Sequence, residues 1–182
     1  MANNKKDTSK KKVIDTLNEA RARELHAISL YMSQHYALDA MDYGELAAKM
    51  KLIAIDEMRH AENFAERIKE LGGEPVTGHG SKVVRGNTVL EIFNSDVNVE
   101  DDAIEMYNQA VNICRENNDN ISMKLFETII AEEQLHMNYF ENISQHVKNL
   151  GDTYLSKIAG TSASTGPTSK SFALNLNPGA TA

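Results

Sequence analysis

Residues 1–43, 45–71 and 87–150 contain neither glycine nor proline. The helix breakers are confined to Gly44, to the stretch 72–86 and to the segment after Leu150. A sandwich, a barrel or a doubly wound α/β fold needs turn residues far more often than this. Long helices are what such a layout permits. With 182 residues, 41% of them hydrophobic, the chain is large enough for one domain with a substantial core.

Other classes are excluded as quickly. A single cysteine, Cys114, rules out a disulfide framework and any CxxC metal site, and reads as a buried, reduced core residue. No apolar run approaches the roughly 18 residues of a membrane span, so no membrane association is expected. The first residues, MANNKKDTSKKK, lack the apolar stretch of a signal peptide, which points to the cytoplasm. Those twelve residues carry +4, leaving −11 for the rest of a chain whose net charge is −7. An acidic body does not attract nucleic acid; only the lysine-rich start does.

Apolar residues recur at three- and four-residue spacing in four segments, about 13–38, 43–71, 88–117 and 120–150. Gly72-Gly73-Glu74-Pro75 ends the second. The short links near 39–42 and 117–120 join antiparallel neighbours. The sixteen residues from Gly72 to Asn87 show no helical pattern. A helix of about 30 residues is roughly 45 Å long, and sixteen extended residues reach about 53 Å. That link can run the length of a bundle and make the second and third helices parallel. The expectation is an all-α four-helix bundle with one long crossover between the second and third helices and a short fifth helix over 152–159. It divides the chain into a basic tail at 1–12, a bundle at 13–159 and a flexible tail at 160–182.

Six polar residues sit on the apolar seams: Glu24, Glu57, His60, Glu100, Glu133 and His136. They obey a 76-residue repeat that pairs Glu24 with Glu100, Ile28 with Ile104, Tyr31 with Tyr107, Ile53 with Ile129, Glu57 with Glu133, His60 with His136 and Phe64 with Phe140. Each half is a helix hairpin with one Glu on its first helix and Glu-x-x-His on its second. Two such hairpins around a pseudo-twofold axis bring four carboxylates and two imidazoles together at mid-bundle.

Burying an ionised carboxylate without a partner costs several kcal/mol, and adjacent ones repel. No Lys or Arg lies on the seams nearby, so divalent cations are the natural counter-charge. Carboxylate oxygen with neutral imidazole suits iron or manganese, with zinc possible. The pattern is that of dimetal carboxylate bundles: Glu57 and Glu133 bridging two metals, Glu24 and Glu100 terminal, one histidine on each. A lone ExxH is usually an exposed polar turn; two in register with two further seam glutamates are not. Asp56 and Glu132 lie at i,i+4 to the histidines and compete as ligands, but they sit off the seam. Glu105 breaks the repeat, which leaves Glu100 as the third-helix ligand. His26, His35, His79 and His146 read as surface or packing residues.

In IDEMRHAENFAERIKELGGEP (55–75), RELHAISLY (23–31) and AEEQLH (131–136) the chain resembles the bacterioferritins, especially those of sulfate-reducing bacteria, over about residues 13–159. The resemblance implies a hollow 24-subunit shell that oxidises Fe(II) with O2 or H2O2 at a site holding two iron ions per subunit and stores the product as a mineral. It implies Met58 as an axial ligand to a haem shared between two subunits, of protoporphyrin or coproporphyrin type. The haem would assist iron release with a ferredoxin- or rubredoxin-type electron donor. From the residues alone, Met58 points about 100° away from Glu57, with Ala54, Ile55, Ala61 and Ala65 as neighbours, and packing of a dimer interface is the plainer reading. The resemblance also implies Tyr31 as a hydrogen-bond or electron donor, with Tyr107 in the core. Where some bacterioferritins carry an inner-surface histidine one turn before the acid matching Asp56, this chain has Leu52.

Two rivals share the scaffold. A peroxide-reducing protein of rubrerythrin type needs a separate electron donor here, because no CxxC domain is present. A mini-ferritin coating DNA through Lys5–Lys12 places its metal between subunits, whereas this chain holds a complete set.

Overall fold

Helix occupies every stretch that lacks glycine and proline. The computed structural model describes residues 2–79, 82–165 and 172–173. Its elements are α1 (Ala2–Ala40), α2 (Gly44–Glu70), α3 (Val89–Glu116), α4 (Asn120–Leu150) and α5 (Asp152–Ile158). The helix expected from Val13 begins at Ala2 instead. The lysine-rich segment contains no breaker, lysine is a good helix former, and Lys11 Nζ pairs with Asp15 one turn on at 2.6 Å. None of the described helices is long and apolar enough to cross a membrane.

α1 packs antiparallel on α2, and α3 on α4. Both hairpins turn the same way. Asp42 and Asn118, 76 residues apart, take positive φ of 67° and 57°. The next residue in each turn donates back five residues, Tyr43 N–H to Leu38 O and Asp119 N–H to Cys114 O, each at 2.9 Å. Short polar side chains tolerate this left-handed conformation, which is how both hairpins turn without a glycine at that position.

Two apolar clusters fix the direction of the crossover. One gathers Leu38 from the end of α1, Leu46 and Met50 from the start of α2, Phe93 from the start of α3 and Phe140 from α4. The other gathers Leu17, Phe64, Tyr107, Cys114 and Phe126 from the opposite ends. The starts of α2 and α3 therefore lie at the same end of the bundle, and the two helices are parallel. On its way between them the crossover is pinned to α1. Val76 N–H donates to Asn18 Oδ1 at 2.8 Å, and Arg21 Nε donates to Val76 O at 2.9 Å.

The seams hold, with local shifts. On α4 the fully buried residue is Phe126 rather than Leu125, and Leu150 is exposed. On α3 Ala103 is buried where Ile104 was expected. After α5, Gly160 N–H donates to Asp42 O at 2.9 Å and Thr161 bridges Tyr43. Gly44 makes that approach possible, since a Cβ there would stand 2.0 Å from Thr161 O. Of the stretch expected to be a flexible tail, 160–165 and 172–173 are described. Phe172 and Ala173 are buried against the bundle; residues 166–171 and 174–182 lie outside the described residues.

Candidate metal centre

Between the two apolar clusters the six repeat residues converge, one Glu each from α1 and α3 and one Glu-His pair each from α2 and α4. None is more than 2% exposed. They form two groups of four, Glu24-Glu57-His60-Glu133 and Glu57-Glu100-Glu133-His136, with the ligand atoms of each group within 4.8 Å of one another.

The two halves match closely. His60 Nδ1 is 3.2 Å from Glu57 Oε2, 3.3 Å from Glu133 Oε1 and 4.0 Å from Glu24 Oε1. His136 Nδ1 is 3.0 Å from Glu133 Oε2, 3.1 Å from Glu57 Oε1 and 4.0 Å from Glu100 Oε1. Glu57 and Glu133 thus send one oxygen to each half, while Glu24 and Glu100 each serve one. The i,i+3 spacing within each ExxH sets a carboxylate and an imidazole on the same helix face.

Protons distribute as they must in so dry a place. Burial, then repulsion from Glu133 and Glu57, pushes the Glu24 and Glu100 carboxyls well above the usual carboxylate range. Burial works against charge on His60, but Glu133, Glu132 and Glu57 overcome it and hold the imidazole well above its ordinary value. His136 is raised likewise against burial, by Glu57, Asp56 and Glu133. Burial also disfavours ionised Glu57, yet the two imidazoles pull it below the normal range. The carboxylates thus favour a proton on each imidazole, which adds positive charge to the cluster when no metal is bound. The hydrogen bonding within the cluster is incomplete in one telling way: Glu57 Oε1 is buried and makes no hydrogen bond, although His136 Nδ1 lies 3.1 Å away. An acceptor left unsatisfied in a dry carboxylate–imidazole cluster is what a cation would complete.

Two further pairs of residues surround the six. Tyr31 OH donates to Glu100 Oε1 at 2.5 Å, and Tyr107 OH donates to Glu24 Oε1. Tyr107 is thus more than core; the 76-residue repeat already paired it with Tyr31. Asp56 and Glu132 do not enter the ligand cluster. They approach the far nitrogens, Asp56 Oδ2 at 3.2 Å from His136 Nε2 and Glu132 Oε2 at 2.9 Å from His60 Nε2. Such carboxylates orient a ligating histidine and set its tautomer. Their spacing is again 76 residues, a signal present in the sequence. Asp96, one turn before Glu100, is buried against Gln34 at 2.7 Å, and burial raises its carboxyl well above the usual range. No sequence signal marked it.

Met58 is 52% exposed. It lines an open groove of ≈ 450 Å³ with Arg21, Leu25, Ile28, Ala61, Glu62 and Ala65. Ala61 and Ala65 are the expected neighbours. Ala54 is buried in the core and Ile55 packs partly buried against it, while Leu25 and Ile28 of α1 line the groove. Burial pushes the Cys114 thiol up to about 12, so it stays protonated. Glu105 is exposed, and His35 is buried with Nδ1 2.8 Å from Ala47 O.

The ferritin-like domain matches residues 14–150. The bacterioferritin of Desulfovibrio desulfuricans is 64% identical over 172 residues, 94% of this chain and 96% of that protein. The chain belongs to the bacterioferritin family. More distant bacterioferritins from Streptomyces coelicolor and Mycobacterium tuberculosis are 35% and 34% identical over 147 and 140 residues. These matches cover 80% and 77% of this chain, and 88% of each relative. A crystal structure of the D. desulfuricans bacterioferritin, which describes its diiron site in different catalytic states, superposes with a TM-score of 0.88 at 63% identity. It covers 92% of this chain and 98% of that one. In this bacterioferritin the twofold internal repeat brings the whole carboxylate–imidazole cluster together within one chain.

Proposed function

We propose that the protein is a ferroxidase and iron store, with Fe(II) as its substrate. The observation that carries this reading is the paired geometry of the histidines, each Nδ1 facing one oxygen of both Glu57 and Glu133. Glu57 and Glu133 bridge two Fe(II) ions, Glu24 and Glu100 bind one each, and His60 and His136 complete the two positions. Loading displaces the protons of both imidazoles and of the Glu24 and Glu100 carboxyls. Each Fe(II) then gives up one electron, and O2 takes two electrons and two protons to leave as H2O2. With H2O2 as oxidant, the same two electrons and two protons give two waters. Tyr31 and Tyr107 hold the terminal carboxylates in place as charge accumulates, Tyr31 being the hydrogen-bond or electron donor that the family resemblance implies.

Around this chemistry we infer a cytoplasmic 24-subunit cage of haem-linked dimers that stores the ferric product, with a ferredoxin- or rubredoxin-type donor for reductive release. The exposed Met58 side chain, in an α1–α2 groove with Leu25, Ile28, Ala61 and Ala65, supports the haem position, because two such grooves face to face would enclose a flat ligand. Glu133→Ala removes an oxygen from both halves and is expected to abolish the fast phase of Fe(II) oxidation in stopped-flow absorbance, with helicity retained. An unchanged initial rate overturns the site assignment. Met58→Leu is expected to remove haem absorbance and leave Fe(II) oxidation intact, in particles whose native mass corresponds to 24 subunits. A dodecamer or a dimer overturns the cage.

A further inference from the structure

The two histidines of the centre are supported unequally, although the repeat makes them equivalent. His60 Nε2 leans on Glu132, whose side chain is 27% exposed. His136 Nε2 leans on Asp56, which is fully buried. The difference lies in two residues far along the chain. Ala173 N–H donates to Asp56 Oδ2 at 2.9 Å, the same oxygen that meets His136. Phe172 lies beside it, its ring centroid 5.9 Å from that of His136 and 5.1 Å from that of Tyr139. Lys49 Nζ sits 5.9 Å from the Phe172 ring centroid. Phe172 and Ala173 are 5% and 3% exposed and belong to the buried core. Nothing comparable covers Glu132 among the described residues.

We infer that Phe172 and Ala173 are positioning residues that cap the Glu100/His136 metal position and make it the slowly exchanging one of the two. The inference rests on the dimetal reading above. A carboxylate that orients a ligating histidine sets how readily the imidazole swings off its metal. Asp56 is held by an N–H donor, by His136 and by Arg59 Nη1 3.7 Å from its other oxygen, so it has no freedom to follow a departing imidazole. The Phe172 ring keeps water from the same spot, and ligand exchange in a dry site lacks the solvent that would replace a lost bond. Glu132, a quarter exposed, can turn to solvent and let His60 go. Asp56 is consequently committed to His136 and is closed off as a separate metal-binding group on the protein surface.

Co(II) release tests this in the assembled, full-length protein. Wild type is loaded with Co(II), its stoichiometry measured from the visible absorption, and release into excess chelator followed by stopped flow. Two ions per subunit leaving in two phases of equal amplitude are expected. Phe172→Ala and Ala173→Pro, which removes the N–H donor, are expected to accelerate the slow phase about 10- to 100-fold, the usual effect of disturbing a metal's outer shell. The fast phase is expected to stay unchanged. Phe172→Leu, which restores apolar cover, is expected to return the slow phase towards wild type. A single release phase in wild type, or an unaltered slow phase in both Phe172→Ala and Ala173→Pro, overturns the inference. Fewer than two Co(II) ions per subunit in wild type overturns the dimetal reading beneath it, and stoichiometry separates that failure from the kinetic one.

Discussion

Tyr31 and Tyr107 reach across the bundle to the opposite hairpin: the first-hairpin tyrosine holds Glu100, and the second-hairpin tyrosine holds Glu24. Each terminal carboxylate therefore depends on a residue 69 or 83 positions away in the chain. Burial raises both phenols, with Glu100 and Glu24 respectively adding to it, so both remain donors throughout the neutral range. Removing one hydroxyl leaves a buried carboxylate oxygen without its donor, a loss of about 1–3 kcal/mol. Tyr31→Phe and Tyr107→Phe are both expected to lower stability by that amount in urea titration and to slow Fe(II) oxidation. Equal slowing marks the hydrogen bond as the shared cause. If Tyr31→Phe alone slows the reaction, Tyr31 acts as more than a donor to Glu100. Both tyrosines were visible in the repeat, but seam spacing within one helix says nothing about which partner a side chain meets across the core. For that reason Tyr107 read as packing. Asp56 and Glu132 read as competing ligands for a related reason: periodicity separates buried from exposed positions and does not tell one nitrogen of a histidine from the other.

Element boundaries were readable wherever the chain spells out a stop. α4 runs from Asn120 to Leu150 as the pattern required, and α3 starts just after Thr88, whose hydroxyl accepts from Glu91 N–H. α1 was misjudged because its first eleven residues carry no apolar stripe, and a helix there needs only the absence of breakers. Leu125 and Phe126 are adjacent apolar residues, and the helix phase that buries the larger ring is set by Phe64 and Tyr107 packing against it. The α3–α4 turn carries the clearest stability test. Asp119 caps α4 by accepting from Ser122 N–H at 3.0 Å and from Ser122 Oγ at 2.8 Å, and it takes Arg67 of α2 at 2.9 Å. Burial disfavours its charge, but the Ser122 and Arg67 contacts hold its carboxyl below the ordinary range. Asp119→Ala is expected to cost about 2 kcal/mol at pH 7. A lowered folded-state pKa adds stability above the unfolded value and loses it as pH falls through the folded one. The gap between wild type and Asp119→Ala should therefore narrow below about pH 4 in thermal melts. A gap that does not change with pH assigns the stability to shape rather than to charge.

Across the whole molecule, four long helices meet at a cluster of charge that they cannot stabilise by packing alone. The sequence showed the cluster because its repeat places the same polar residues on both halves of the core, a pattern without purpose in a plain bundle. It could not show how the metal-free protein tolerates them. The raised proton affinities of His60, His136, Glu24 and Glu100 supply the answer, and they have a consequence for stability. All four groups bind protons more tightly when folded than when unfolded. Stability then falls with rising pH, since the folded state must hold protons that the unfolded chain has released. The loss begins above 4.5 for the two carboxyls and above 6.5 for the two imidazoles, their unperturbed values, and is complete only beyond their raised folded values. The metal-free protein is therefore expected to melt at progressively lower temperature between pH 6 and pH 9. Bound metal replaces those protons and binds the folded chain alone, so a saturating divalent ion should raise the melting temperature most at the alkaline end. Calorimetry of metal-free and Co(II)-loaded protein across that range checks both slopes. A metal-free melting temperature that rises with pH would show the cluster to be ionised and balanced by other means.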